Sequence, residues 1–201
     1  FLCLHEKHRP YVILKWAQTA DGFVDKKREI PHSLAPSSDA HLNGALSIST
    51  SATKALVHRM RAENMAIMVG TRTVLLDNPR LLNTHWEGRN PIRVTLDRHN
   101  CIPADARIFS DEIETIVYRD RTDWPFILED LARRNIHSIL VEGGPTLLAH
   151  ILKSNLWDEI HVEVAPELII GDGVPAPEIE LPDHFETVDD HRLYTIKNGK
   201  N

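Results

Sequence analysis

Short apolar runs and amphipathic stretches alternate along most of this chain. Tyr11-Val12-Ile13-Leu14-Lys15-Trp16-Ala17 has the length and β-branched content of a buried strand, and Asp21-Gly22 supplies a turn after it. Residues 25 to 44 break the pattern. Pro31, Pro36, Gly44 and three serines make a polar excursion, the kind of loop that in a compact domain is functional or disordered. Thr50 to Asn64 predicts a helix, with Thr50 as N-cap and Leu56, Val57 and Met60 on one side. Met65 to Val69 is a continuous apolar strand ending at Gly70, and Ile92–Leu96, Thr115–Tyr118 and Ile136–Val141 read as further strands. Trp124 to Arg134 places Phe126, Ile127 and Leu131 at core spacing on a helix, and Thr146 to Leu156 predicts another. Ile160 to Ala165, Leu168 to Ile170 and Leu193 to Ile196 then close the sheet.

Strands separated by helices predict an α/β fold with a mixed, mostly parallel central sheet. The last strands follow one another without helices, which predicts an antiparallel C-terminal edge. No internal repeat or low-complexity tract interrupts the chain. Residues 1–201 therefore read as a single domain, with 1–9 a terminal extension, 25–44 an irregular loop and 176–201 a segment carrying the edge strand.

The chain has 201 residues, enough for a substantial core, with 42% hydrophobic and 26% charged residues, as in soluble globular domains. A net charge of -6 argues against a nucleic-acid partner but says little about any one cleft. Cys3 and Cys101 make no disulfide framework and no CxxC pair, so a reducing, cytoplasmic setting is expected. The apolar runs are too short for a membrane span, and no signal peptide is evident.

The clearest chemistry lies in Val141-Glu142-Gly143-Gly144-Pro145-Thr146. A strand runs into two glycines and a helix begins at once, so free N–H groups and a positive dipole end are offered to a phosphate. Glu142 stands at the strand end, where a carboxylate needs a partner or a task. A plain strand-to-helix turn explains the same glycines equally well, since the segment is neither the GxGxxG fingerprint nor a P-loop. In Val69 to Leu81, Thr71 and Thr73 suit phosphate or ribose oxygens and Asp77 suits a hydroxyl, but a capped turn ended by Asp77-Asn78-Pro79 is the simpler reading. Lys15 interrupts an apolar strand, as either a strand-end surface residue or a site residue. Lys54, His58 and Arg61 share one helix face, either a phosphate stripe or a solvated surface. Among twelve histidines there is no HExxH, and neither the zinc-deaminase signature nor GxSxG occurs, so no metal is expected.

Taken together, these segments resemble the C-terminal reductase domain of the bifunctional riboflavin deaminase-reductase, over about residues 9 to 175. The resemblance runs through Leu14 to Gly22, Met60-Arg61-Ala62, Val69 to Leu81, Val94-Thr95-Leu96-Asp97, Val141 to Leu147 and Ala165-Pro166-Glu167-Leu168. It implies a dihydrofolate-reductase-like fold, a homodimer, and NADPH-dependent reduction of 5-amino-6-(5-phosphoribosylamino)uracil to its ribityl product. It also implies cofactor contacts at Ala17, Ser47, Thr73, Asp77, Gly143, Gly144, Pro145, Thr146 and Leu147, continuing toward His150. Substrate contacts are implied at Arg61, Leu81, Glu142 and Asp21. Arg61 would grip the ribose 5-phosphate, and Lys15 and Glu142 would act on the sugar.

This sequence departs from the family pattern in three places. Ala45-Leu46-Ser47-Ile48-Ser49 replaces a Ser-x-Trp element, Thr84 stands where a second phosphate-gripping arginine is common, and Arg98 replaces a serine. Arg80 is near enough in sequence to stand in for the missing arginine, and Arg98 either meets the 2′-phosphate of NADPH or faces solvent. These departures keep two alternatives in play: a reductase of the same fold for another pteridine-like or phosphoribosyl substrate, and a non-catalytic NADPH-binding or dimer module. Phe1 in place of Met and the absent zinc signature leave open a fusion to an N-terminal zinc deaminase domain outside this chain.

Overall fold

The computed structural model describes residues 2–31 and 44–199. After a short helix, α1 (Leu2–Lys7), come β1 (Tyr11–Thr19), β2 (Phe23–Asp25), α2 (Ser51–Glu63), β3 (Ala66–Val69), α3 (Thr71–Asp77), β4 (Ile92–Leu96) and β5 (Thr115–Tyr118). The second half adds α4 (Trp124–Arg133), β6 (Ser138–Gly143), α5 (Pro145–Ser154), β7 (Glu159–Ala165), β8 (Val174–Pro175), β9 (Glu186–Val188) and β10 (His191–Lys197). Eight strands form one sheet in the order β5-β4-β3-β6-β1-β7-β10-β9, while β2 and β8 pair separately. Every pairing from β5 to β7 is parallel, and β10 and β9 join antiparallel. This is the mixed, mostly parallel sheet that the alternating pattern predicts.

The parallel strands are covered on both faces, so β3 is four consecutive buried apolar residues. Met68 joins a core with Leu14, Val141, Trp124 and Leu148, whereas Ile67 and Val69 point the other way into a second cluster with Val74, Leu81, Ile102 and Ile108. Helix starts follow their caps. The Thr50 hydroxyl accepts from Thr53 N–H, and the Asp123 carboxylate accepts from Phe126 N–H at 3.2 Å.

Three expectations need correction. The strand expected over Ile136–Val141 begins at Ser138 and continues through Glu142 to Gly143, because Val69 pairs with Gly143 after a register shift and prolongs the ladder. The strand expected at Leu168–Ile170 does not form: Leu168 C=O accepts from Ala20 N–H, and the Ile170 and Gly171 N–H groups donate to Asp21. The expected antiparallel C-terminal edge does form within 176–201, from β10 and, outermost, β9. Residues 1–9 are not all extension. Arg9 is buried and donates to both oxygens of Asp158, at 2.5 and 2.9 Å. Most of the 25–44 loop, residues 32–43, lies outside the described residues.

Asp158 also accepts from Lys7 at 3.1 Å and from Val12 N–H at 2.9 Å, so it ties the entry to β1 onto the start of β7. Burial pushes its carboxyl upward, but the hydrogen bonds from Arg9 and Val12 prevail and hold it below the usual aspartate range. A depressed carboxyl contributes stability above its unfolded value, and that contribution is lost as pH falls through the folded one. Asp158→Ala strands a buried guanidinium, and an expected loss of about 3–5 kcal/mol will be read in urea melts at neutral pH. The difference from wild type should shrink as both are titrated into acid.

Candidate active site

The alternation of β1 sends Val12, Leu14 and Trp16 into the core and leaves Lys15 and Ala17 on the opposite face. Tyr11 pairs with Ser138 and the register runs through Leu14 opposite Val141, so its continuation puts Lys15 beside Glu142 on β6. On the other side Ala17 pairs with Glu163 of β7. Helix α2 contributes Val57, His58 and Arg61 over this face, and α3 and α5 complete a cleft of about 1170 Å³. The cleft lies at the carboxyl ends of the parallel strands, where α/β sheets gather ligands.

Its floor is charged. Arg61 Nε donates to Glu142 Oε1 at 2.7 Å and Nη2 donates to Oε2 at 2.6 Å, while Nη1 donates to Leu82 C=O at 2.9 Å. Lys15 Nζ lies 3.7 Å from Glu163 Oε2. Burial lowers Lys15 below the ordinary lysine value, although Glu163 and Glu142 oppose it. Burial pushes Glu142 upward, but the charge and hydrogen bonds of Arg61, then Lys15, hold it below the usual glutamate range. His58 is depressed to about 4 by burial, Arg61 and His85, and its Nδ1 accepts from Thr84 N–H at 3.0 Å. It is neutral at physiological pH.

The second wall is the glycine junction. Gly143 sits at φ +129°, where a side chain would be strained, and the Gly143–Gly144 peptide is cis. Gly70 N–H donates to Gly143 C=O at 2.9 Å, and a Cβ on Gly144 would come 3.2 Å from Thr73 Oγ1. Gly144 is the N-cap of α5 and no described side chain caps that helix, so the first-turn N–H groups remain available to a ligand. Thr71 does not cap α3; Gly70 does, and the Thr71 hydroxyl donates to Leu96 C=O at 2.5 Å. Asp77 is gripped by Arg28, whose guanidinium also holds Asp25. Burial raises the Asp77 carboxyl despite that arginine.

Most of the expected residues meet here. Lys15, Ala17, Ser47, Arg61, Thr73, Asp77, Glu142 and Gly143 to Leu147 all line the one cleft, as does Arg98. Two do not. Leu81 is 6% exposed within the second core cluster, and Asp21 organises a surface turn, accepting from Thr19 Oγ1 at 2.6 Å and Gly171 N–H at 2.7 Å. Arg80 pairs with Asp111 at 3.3 Å rather than taking the place of a phosphate-gripping arginine. Arg61 has its fork closed on Glu142 instead of open to a phosphate. Glu163, Arg28 and Asp25 carry no local mark in the sequence: Glu163 takes a polar position in the alternating stretch Ile160–Ala165. Among the described residues, no group of three His, Cys, Asp or Glu side chains can hold a metal, and no helix is long and apolar enough to cross a membrane.

The chain is similar to known proteins in sequence and in fold. A 2,5-diamino-6-ribosylamino-4(3H)-pyrimidinone 5′-phosphate reductase of Archaeoglobus fulgidus is 32% identical, covering 83% of this chain and 85% of that one. The crystal structure of a diaminohydroxyphosphoribosylaminopyrimidine deaminase/5-amino-6-(5-phosphoribosylamino)uracil reductase from Thermotoga maritima superposes with a TM-score of 0.79 at 29% identity. It aligns with 98% of this chain, which spans 59% of its length. A dihydrofolate reductase from Enterococcus faecalis, complexed with NADP(H), shares the fold alone, with a TM-score of 0.58 at 15% identity over 92% of this chain and 94% of that one. The model of the RibD C-terminal domain family matches residues 10–199, nearly the whole of the sheet and both walls of the cleft. The chain belongs to the RibD C-terminal domain family.

Proposed function

We propose that this protein is a reductase of riboflavin biosynthesis that uses NADPH to convert the ribosyl group of 5-amino-6-(5-phosphoribosylamino)uracil to the ribityl product. The observation that carries this reading is one cleft with a glycine cradle on one wall and a half-buried Lys15–Glu142–Arg61 charge cluster on its floor. The residues fit a dinucleotide. Gly70, Gly143 and Gly144 let the backbone approach closely, α5 offers uncapped N–H groups to a phosphate, and Arg72 and Arg98 supply cations in the lining.

NADPH, when bound, supplies the hydride. Opening the ribosyl ring breaks the C1′–O4′ bond, the attached nitrogen gives its electron pair to C1′, and O4′ needs one proton. Lys15 holds that proton at the cleft floor, where partial burial weakens its hold on it. Glu142 stays ionised and accepts from a sugar hydroxyl, and Arg61 fixes its orientation. Thr73 and Leu147 pack at the glycine junction and shape the cofactor wall. A homodimer in the cytoplasm is part of the same family-based proposal.

A second substrate is favoured by the relatives. Three that match along most of their length are named as reductases of the pyrimidinone that still carries its 2-amino group. Purified protein with NADPH and either the uracil or the pyrimidinone, followed at the NADPH absorbance, tests both. Consumption with the pyrimidinone alone transfers the proposal to that substrate, and no consumption with either overturns it.

Lys15→Met and Glu142→Gln should each lower kcat at least about 100-fold while NADPH affinity changes less than about twofold, as measured by fluorescence titration. Wild-type turnover in both would remove them from the reaction. For Arg98→Ser, the Kd for NADPH should rise about tenfold with little change for NADH, because only NADPH carries the 2′-phosphate. Equal weakening of both would place Arg98 outside cofactor selection.

A further inference from the structure

Lys15 sits between two carboxylates that are not equally free to hold it. Glu142 is already neutralised by the Arg61 fork, at 2.7 and 2.6 Å. The carboxylate left as the counterion of Lys15 is Glu163, a β7 residue only 2% exposed. Its oxygens are divided between two sides. Oε2 accepts from Ser49 Oγ at 2.6 Å and faces Lys15 Nζ at 3.7 Å, and the Thr53 hydroxyl of α2 bonds to the same carboxylate. Oε1 lies 2.8 Å from Nδ1 of His191. An ionised carboxylate only accepts, so Nδ1 carries the proton in that contact.

His191 arrives from β10, the strand next to β7. Leu193 of β10 pairs with Glu163, and the period of two puts His191 on the same face two residues away. Its side chain is 12% exposed. The groups facing Lys15 are therefore Glu163 from β7, Glu142 from β6 and Arg61 from α2. Lys54 of α2 lines the same cleft and bonds to Ser47.

We propose that His191 is a positioning residue of the reductase. Its Nδ1–H anchors one oxygen of Glu163, which turns the other toward Lys15 and keeps that ammonium protonated and aimed at the sugar. The proposal rests on the reading of Lys15 as proton donor given above. Without the imidazole, Oε1 loses its donor, and Ser49 and Thr53 alone no longer fix the plane of the carboxylate toward Lys15. Lys15 then retains burial as its main influence and loses its proton at lower pH.

The test compares wild type, His191→Phe and His191→Asn between about pH 6 and pH 10, measuring kcat, KM for NADPH and melting temperature. In parallel, the side-chain 13Cε resonance of Lys15 is titrated by NMR, a readout that needs no turnover. His191→Phe should lower kcat about tenfold at unchanged KM for NADPH. Its alkaline limb and the Lys15 midpoint should both move at least about half a pH unit toward acid. Asn, whose amide N–H replaces Nδ1–H, should restore most of both. A wild-type limb and midpoint in His191→Phe overturn the proposal, as does a loss of rate that follows melting temperature with the midpoint unmoved. Should His191→Phe not fold, Glu163→Gln gives the same decision, since an unshifted Lys15 midpoint there removes Glu163 as its counterion. Absence of turnover in wild type would defeat the reductase reading, while the Lys15 titration would still decide this one.

Discussion

Lys15, Arg61, Glu142 and Glu163 lie together where little water reaches them, and a charge in such a place persists only beside an opposite one. The register of β1 between β6 and β7 provides that pairing. A slip of one residue in β1 would drive Lys15 into the apolar core and turn Val12 and Leu14 out of it. The strand order that buries Val12, Leu14 and Trp16 is thus the same constraint that assembles the charged floor. Stability and chemistry depend on one pairing.

The glycine junction solves a different problem. The end of β6 has to pass close to the start of α3 and then turn into α5, and any Cβ on Gly144 would crowd the Thr73 hydroxyl. Omitting side chains leaves two main-chain walls within reach of a ligand, with the open first turn of α5 at their meeting point. Glu142 immediately precedes this turn, so a group held by the helix start and a group held by the carboxylate are necessarily neighbours. Arg28 adds a brace on the outer side, joining Asp25 of β2 to Asp77 of α3 and so fixing the second small sheet against the cleft wall.

Local signals in the sequence suffice where one segment settles its own conformation. The Thr50 cap, the continuous apolar run of β3 and the Pro145 helix start all appear as expected, because caps, periodicity and proline act over a few residues. The failures share a cause. Leu168 to Ile170 has strand-like composition, but its backbone groups are taken by the turn at Ala20 and Asp21, about 150 residues earlier in the chain. Leu81 and Asp21 fall within family-like segments, yet one packs into a core and the other braces a surface turn.

The sequence by itself determined the class of fold, the order of its elements and the cleft residues of β1, α2, α3, β6 and α5. The fold class and the order of elements rest on period and capping, which are properties of neighbouring residues, whereas most of the cleft residues are implied by the family resemblance and only the glycine junction by its own segment. Tertiary structure alone decided which charges answer one another: Arg61 with Glu142, Arg28 with Asp77, and Lys15 with a glutamate that His191 holds from another strand. Partners 28 to 148 residues apart carry no mark of each other in one chain, since only strand order and register bring them within a few ångströms.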